Sequence, residues 1–320
     1  MVVTVTNTNM ETVALETANT TVIRQVGDGS IITRFEKTPS PTNGNDVVCP
    51  HFMEFKWAYG CPFNCAWCYL KGTFRFHPAG PQPVIKNYDR IKAHLLRFFA
   101  AANKPELLNT GEIADSLMGE TLNPPFSKFI IPLFEEQSKH KILFLTKAVN
   151  VKNLLEMDRH RQVIVSYSLN AEEVAQRWEK GAPAVSRRIN AAKDLIKAGY
   201  QVRVRIDPMV PIANWETQYK NLLEQIFNFF TPSRITLGSL RGLPSTIARC
   251  TDKSWLEFLD ENSNWGKKVR FQIRHEMYSS VIEELRYNHN YPDIGLCKET
   301  MEMWSALGMD YSQISCNCIL

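Results

Sequence analysis

Three cysteines on one short loop, Cys61-Pro-Phe-Asn-Cys65-Ala-Trp-Cys68, are the residues best placed to do chemistry. In a reducing compartment, clustered thiols read as ligands or reactive groups rather than disulfides. Three thiolates at this spacing can bind three irons of a [4Fe-4S] cubane and leave the fourth iron open. Clusters are ordinarily held by four cysteines, so a loop offering three with no near fourth implies a ligand from outside the protein. The alternative from another class is a zinc-bound nucleic-acid-binding module. Structural zinc wants a fourth Cys or His, however, and typically pairs two separate Cys-x2-4-Cys knuckles.

The Cys-x3-Cys-x2-Cys spacing, with Trp67 before the third cysteine and Tyr69 after it, resembles the radical S-adenosylmethionine (SAM) superfamily. The resemblance implies that Cys61, Cys65 and Cys68 hold a [4Fe-4S] cluster whose open iron is chelated by SAM. An electron from the cluster would then cleave SAM to a 5′-deoxyadenosyl radical that abstracts hydrogen, while the protein orients these parts and excludes water. It also implies an electron donor such as flavodoxin or ferredoxin. Thr110-Gly111-Glu112 stands where the superfamily has a Gly-Gly-Glu-like element, so Glu112 would accept hydrogen bonds from the SAM amino group. Tyr69, Ser168 and Asn170 join the candidate cofactor contacts. The hydroxyl and amide of the last two suit a ribose, although Asn170 equally suits a helix cap before Ala171.

A narrower resemblance runs over most of residues 52 to 318. It is carried by the ordered segments GEIADSL from Gly111, TKAVNV from Thr146, VSYSLN from Val165, RIDPM from Arg205, LGSLR from Leu237 and LCKE from Leu296. Together they resemble the spore photoproduct lyase family. That family implies repair of a thymine dimer in DNA: the deoxyadenosyl radical takes a hydrogen from the lesion, the cross-link fragments, and a hydrogen is returned. The family's returning thiol sits just beyond the second strand, where this chain has Leu107-Leu108-Asn109-Thr110-Gly111 and no cysteine. Either another cysteine serves or the substrate differs, a peptide, an RNA or a small molecule being the alternatives. Cys316 and Cys318 are the candidate hydrogen donors or redox thiols, and with Cys250 and Cys297 they could instead form an auxiliary cluster.

Lys147, Arg203, Arg205 and Arg241 lie within or at the ends of β-rich runs, where a cation suits phosphate or the SAM carboxylate. Lys147 and Arg241 are the preferred pair. Alternation puts Arg203 and Arg205 on one strand face, where they serve structure or ligand equally well. If DNA is the partner, Tyr69, Phe74, Phe76 and Trp215 offer stacking surfaces for an extruded base.

The elements that must position these groups alternate in kind. Strands are expected at Phe52 to Ala58, Glu106 to Asn109, Ile142 to Thr146, Val163 to Ser168, Val202 to Asp207 and Arg234 to Leu240. Helices are expected near Tyr88 to Ala102, Pro125 to Lys139, Val185 to Ala198 and Glu216 to Phe230. Short, continuously apolar strands suit a sheet covered on both faces. The expected fold class is therefore α/β, a partial (β/α)6 barrel of the radical SAM type, with chemistry at the carboxyl ends of the strands. A flexible extension at 1–46, a barrel at 47–250 and a C-terminal extension at 251–320 closing the barrel complete the expected organisation. In the last of these, helices are expected at Ser280 to Tyr287 and Lys298 to Leu307.

The 320 residues are 44% hydrophobic and 22% charged, which disfavours disorder and fibrous repeats. With 37 Lys and Arg against 33 Asp and Glu, the net charge of +4 permits a polyanionic partner without requiring one. No membrane span or basic-then-apolar leader is legible, so the expectation is a cytoplasmic protein. The ending Cys316-Asn317-Cys318-Ile319-Leu320 lacks the fourth-from-last cysteine of a prenylation box.

Overall fold

The stretch Val202-Arg-Val-Arg-Ile-Asp207 alternates apolar and charged side chains, and in a strand such alternation sends them to opposite faces. The computed structural model describes residues 31–35, 41–78 and 80–320 and places this stretch at the middle of an open half-barrel. Its eight-stranded sheet runs in chain order. The strands are β1 (Ile32–Phe35), β2 (Phe52–Phe55), β3 (Leu107–Asn109) and β4 (Lys141–Thr146), then β5 (Val163–Leu169), β6 (Gln201–Met209), β7 (Ile235–Ser239) and β8 (Ile294–Leu296). Strands β2 to β8 are parallel, and β1 joins the edge antiparallel to β2.

Parallel neighbours need crossovers, and helices supply most of them. The longer ones are α1 (Tyr88–Ala101), α2 (Phe126–Glu135), α3 (Val185–Lys197), α4 (Trp215–Phe229) and α5 (Phe271–Glu283). The outer sheet face, with Phe144, Val165, Tyr167, Val204, Ile206 and Leu237, is buried with them in one large core. The inner face carries a separate small apolar patch of Leu107, Leu143 and Ile164. Beyond that patch the inner face turns polar.

All six expected strands form, and two were not foreseen. β1 lies inside the stretch expected to be a flexible extension; Ile32 and Phe35 are buried, and every residue of β1 pairs with one of β2. The rest of that expectation, residues 1–30 and 36–40, lies outside the described residues. β8, only three residues long, turns part of the expected closing extension into a seventh parallel strand.

The two expected C-terminal helices shift. Arg274, Met277, Tyr278, Val281 and Ile282 are the buried stripe of α5, which starts at Phe271 and passes into a wider turn at Glu284–Asn288. The later helix begins at Met301 because the Thr300 hydroxyl accepts from the Met303 N–H and caps it (3.3 Å). Lys298 is thereby left in a loop. Among the described residues, no helix is long and apolar enough to cross a membrane.

Residues 315–318 lie against the inner face. Gly295 on β8 permits this approach, since a Cβ there would stand 1.6 Å from the Ser315 carbonyl oxygen. Asn317, fully buried, then fastens the tail to three strands. Its Nδ2 donates to Ser166 Oγ on β5 and to the Val204 carbonyl on β6, both at 2.8 Å. Thr236 on β7 donates to Asn317 Oδ1 and accepts from its N–H, each at 2.9 Å. Arg203 donates to the Asn317 carbonyl at 3.1 Å.

One buried group makes stability depend on pH. His140 is packed with Phe98 and Phe99, 1% exposed, and neither ring nitrogen has a hydrogen-bond partner. Burial, aided by Lys139, lowers its pKa from 6.5 to about 4. The unfolded chain therefore binds the proton first, so the stability from a neutral His140 is complete above pH 6.5 and lost as pH falls toward 4. Urea midpoints taken across that window should fall with pH in the wild type and fall less steeply in His140→Phe.

Candidate active site at the cysteine loop

The cysteine loop leaves the half-barrel after β2 and is pinned from two sides. The Cys61 N–H donates to the Pro81 carbonyl (2.9 Å) and the Ala66 N–H to the Trp178 carbonyl (2.8 Å). Asn64 and Cys65 also pair in a short antiparallel ladder with Glu179 and Lys180. Within this frame Cys61, Cys65 and Cys68 line one wall of a cavity of about 440 Å³ at the carboxyl ends of the strands. Burial raises all three thiol pKa values, that of Cys65 to about 12. Their metal-bearing form is the thiolate, so a bound cation must offset that burial.

Lys147 provides part of the offset, being the main charge favouring the Cys65 thiolate. Burial works against the Lys147 charge, but Glu179 and Cys65 outweigh it and its pKa is raised. Glu179 holds Lys147 Nζ at 3.7 Å and the buried Arg188 at 2.6 Å, so one carboxylate organises both cations and the loop ladder.

Glu112 lines the same cavity. Its backbone carbonyl accepts from the Tyr69 hydroxyl, and its carboxylate lies 3.6 Å from Lys298 Nζ. Gly111 is required by closeness: a Cβ there would stand 2.6 Å from the Leu145 carbonyl oxygen. Asp115 lies beside them, accepting from the Thr146 hydroxyl (2.7 Å) and the Lys147 N–H (2.9 Å). Ser168 also lines the cavity.

Three expectations change. Asn170 does not reach the cavity: it is fully buried, donates to the Pro208 carbonyl (2.8 Å) and accepts from the Tyr219 hydroxyl (3.1 Å). It clasps β5 to β6 away from the cavity. Arg241 reaches the cavity with its guanidinium gripped at both ends by Asp207, at 2.8 and 2.9 Å. Burial alone would raise the Asp207 pKa, but Arg241 and then Arg205 hold it well below the usual carboxylate range. Cys250 lies outside the cavity, its thiol donating to the Ile247 carbonyl (3.3 Å), which removes it from any shared thiol site. Among the stacking candidates, Tyr69 lines the cavity, Phe76 is exposed and Trp215 belongs to a separate acidic groove.

Residues not singled out from the sequence complete the site. Lys298 spans the cavity between Glu112 and the rings of Phe35 and Trp265, 4.9 and 5.1 Å from its ammonium. Glu54 lines the cavity with Oε1 buried and without a hydrogen-bond partner, while Oε2 is held by Lys56 (3.1 Å). Among the described residues no three His, Cys, Asp or Glu side chains converge on a single-ion site. A cubane takes one thiolate per iron, so its cysteines stand farther apart than the ligands of one ion. Three thiols lining one cavity, Cys65 buried and Cys61 and Cys68 half-buried, fit that donor set.

The family model for spore photoproduct lyase matches residues 53–237, from β2 to β7. This chain belongs to the spore photoproduct lyase family. Curated members from Bacillus subtilis and Clostridium acetobutylicum are 27% identical over 172 residues and 23% over 171. These stretches are 53% and 52% of this chain and 49% of each relative, so the chain spans about half the length of the curated relatives it matches. A spore photoproduct lyase complexed with dinucleoside spore photoproduct has the same fold, with TM-score 0.63 and 18% identity over 76% of this chain and 75% of that one. A mutant with bound AdoMet and the same dinucleoside gives TM-score 0.64 over 77% and 75%, also at 18% identity.

The cysteine loop's dependence on one carboxylate is testable. Glu179→Gln leaves Arg188 and Lys147 buried without their anion, at a cost of about 3–5 kcal/mol. Its urea midpoint should drop accordingly, and a midpoint within error of wild type would refute the clamp.

Proposed function

We propose that this chain is a radical SAM enzyme acting on a thymine lesion of the spore photoproduct kind in DNA. The observation that carries the reading is the convergence of Cys61, Cys65 and Cys68 with Glu112 on one cavity at the carboxyl ends of the strands. Family membership and the AdoMet and dinucleoside spore photoproduct bound by structural neighbours support it. A [4Fe-4S] cluster held by the three thiolates would supply the electron that cleaves SAM to the hydrogen-abstracting 5′-deoxyadenosyl radical. Flavodoxin or ferredoxin is the class of donor that would feed it.

The protein's own part is positioning. Glu112 accepts from the SAM amino group while Lys298 holds its carboxylate in place. Ser168 offers a hydroxyl to the ribose, and Tyr69 fixes the Glu112 backbone. Lys147 offsets the negative charge of the thiolates. Glu54 Oε1, a buried acceptor with no protein donor, is placed to receive an N–H of the ligand. The Phe35 and Trp265 rings, with Lys298 over them, form a wall suited to a nucleobase. A second reading, radical chemistry on another substrate, draws on the segment Leu107-Leu108-Asn109-Thr110-Gly111, which has no cysteine where the family's thiol is expected.

The experiment is anaerobic reconstitution with iron and sulfide, then SAM and dithionite with dinucleoside spore photoproduct, comparing wild type with Cys65→Ala. Wild type should form 5′-deoxyadenosine and thymine product, and Cys65→Ala should form neither above background. Deoxyadenosine without dinucleotide repair would move the assignment to the second reading. Intact SAM alongside bound zinc would defeat both.

A further inference from the structure

We propose that Cys316 and Cys318 form a redox pair that delivers a hydrogen atom to a substrate radical in the cavity. The proposal rests on the radical reading above. Both residues line the same cavity as the cysteine loop. Residue 317 between them is the most thoroughly fastened part of the tail, so the two sulfurs stand on a strut fixed to β5, β6 and β7.

The surroundings distinguish the two sulfurs. Arg205 Nη2 lies 2.9 Å from Cys318 Sγ and the Asn109 amide 3.7 Å from it, so Cys318 is ringed by donors. Cys316, two residues away, is the largest influence lowering the Cys318 pKa; with Arg205 it outweighs burial and brings that pKa to about 6. The nearness of Cys318, with burial, drives the Cys316 pKa well up. Arg205 beside Cys318 thus favours the thiolate there and leaves the proton on Cys316. The titratable and charged groups facing Cys318 are Cys316, Arg205, Arg203, Glu112 and Cys49. Cys49 stays a thiol, pushed up to about 12 mainly by burial.

A pair with one proton suits hydrogen-atom transfer. The Cys316 S–H bond breaks homolytically as a C–H bond forms on the substrate radical. The sulfur left with an unpaired electron overlaps the Cys318 thiolate to give a disulfide radical anion, so the single negative charge is conserved. One electron from a low-potential carrier protein and one proton from water restore the thiol and thiolate. Arg205 balances the charge throughout.

The first arm of the test uses cluster-free protein under argon. Diamide should remove two hydrogens in mass from the peptide containing Cys316 and Cys318. Iodoacetamide should label Cys318 with a midpoint near pH 6, and that midpoint should move upward in Cys316→Ser. The second arm runs reconstituted enzyme on dinucleoside spore photoproduct in D₂O. Deuterated product per 5′-deoxyadenosine should fall about tenfold or more in Cys316→Ser, in Cys318→Ser and in the double variant. A diamide product lacking the Cys316–Cys318 disulfide overturns the pair. An unchanged deuterium ratio in the double variant overturns its role as donor and leaves the radical reading standing. A wild type that cleaves no SAM overturns both.

Discussion

The burial of Asn317 is the constraint on which the inner face of this half-barrel depends. A polar inner face on an open parallel sheet exposes hydroxyls, carbonyls and guanidinia that must be satisfied once water is excluded. Ser166, Val204 O, Thr236 and Arg203 all find their partner in the one amide and its backbone. An unmet buried polar group costs about 1–3 kcal/mol, so the segment is held by a set of mutual obligations rather than by apolar contact alone. Arg234 adds to it by donating to the Cys316 carbonyl at 2.9 Å.

Above that layer the inner face becomes a cavity with carefully matched charge. Lys147 answers Glu179, Lys298 answers Glu112, and Arg241 answers Asp207. Behind them the buried Glu299 receives Lys268 at 3.3 Å and the Tyr278 hydroxyl at 2.9 Å, and a salt bridge from Arg274, tying residues after β7 to Ser239 at its end. Three of the four cations that line the cavity are thus held by an acid, and the fourth, Arg205, lies against Cys318 Sγ. Charge inside the site is positioned by the fold before any ligand arrives, the condition under which electrostatic stabilisation needs little reorganisation.

Much of this arrangement was legible in the sequence because it is periodic or locally spaced. The alternation of Arg203, Arg205 and Asp207 announced an inner strand face, and three cysteines within eight residues announced a ligand loop. What escaped was short or long-range. β8 has only Ile294, Gly295 and Leu296, too few to show a period, and β1 precedes a cluster of turn formers that read as linker. Lys298 was hidden by a helix expected to begin there, three residues before the one that Thr300 caps. Asn170 misled because its amide fits a ribose, a helix cap and a strand clasp alike, and the helix after it has no side-chain cap. Only the position of Pro208, 38 residues on, decides between them.

The thiol expected just past the second of the expected strands, at β3, and the thiols found at 316 and 318 are far apart in sequence and near each other in space. Asn109 at the end of β3 donates toward Cys318 Sγ across 209 residues of chain. A sheet that curls into a half-barrel makes such substitution geometrically cheap, since any segment laid along the inner face reaches the ends of several strands at once. Chemistry there need not stay on the strand where it is usually found. It needs a sulfur at the cavity wall, a donor to set its charge and a rigid mount, and in this chain Arg205 and Asn317 provide the last two.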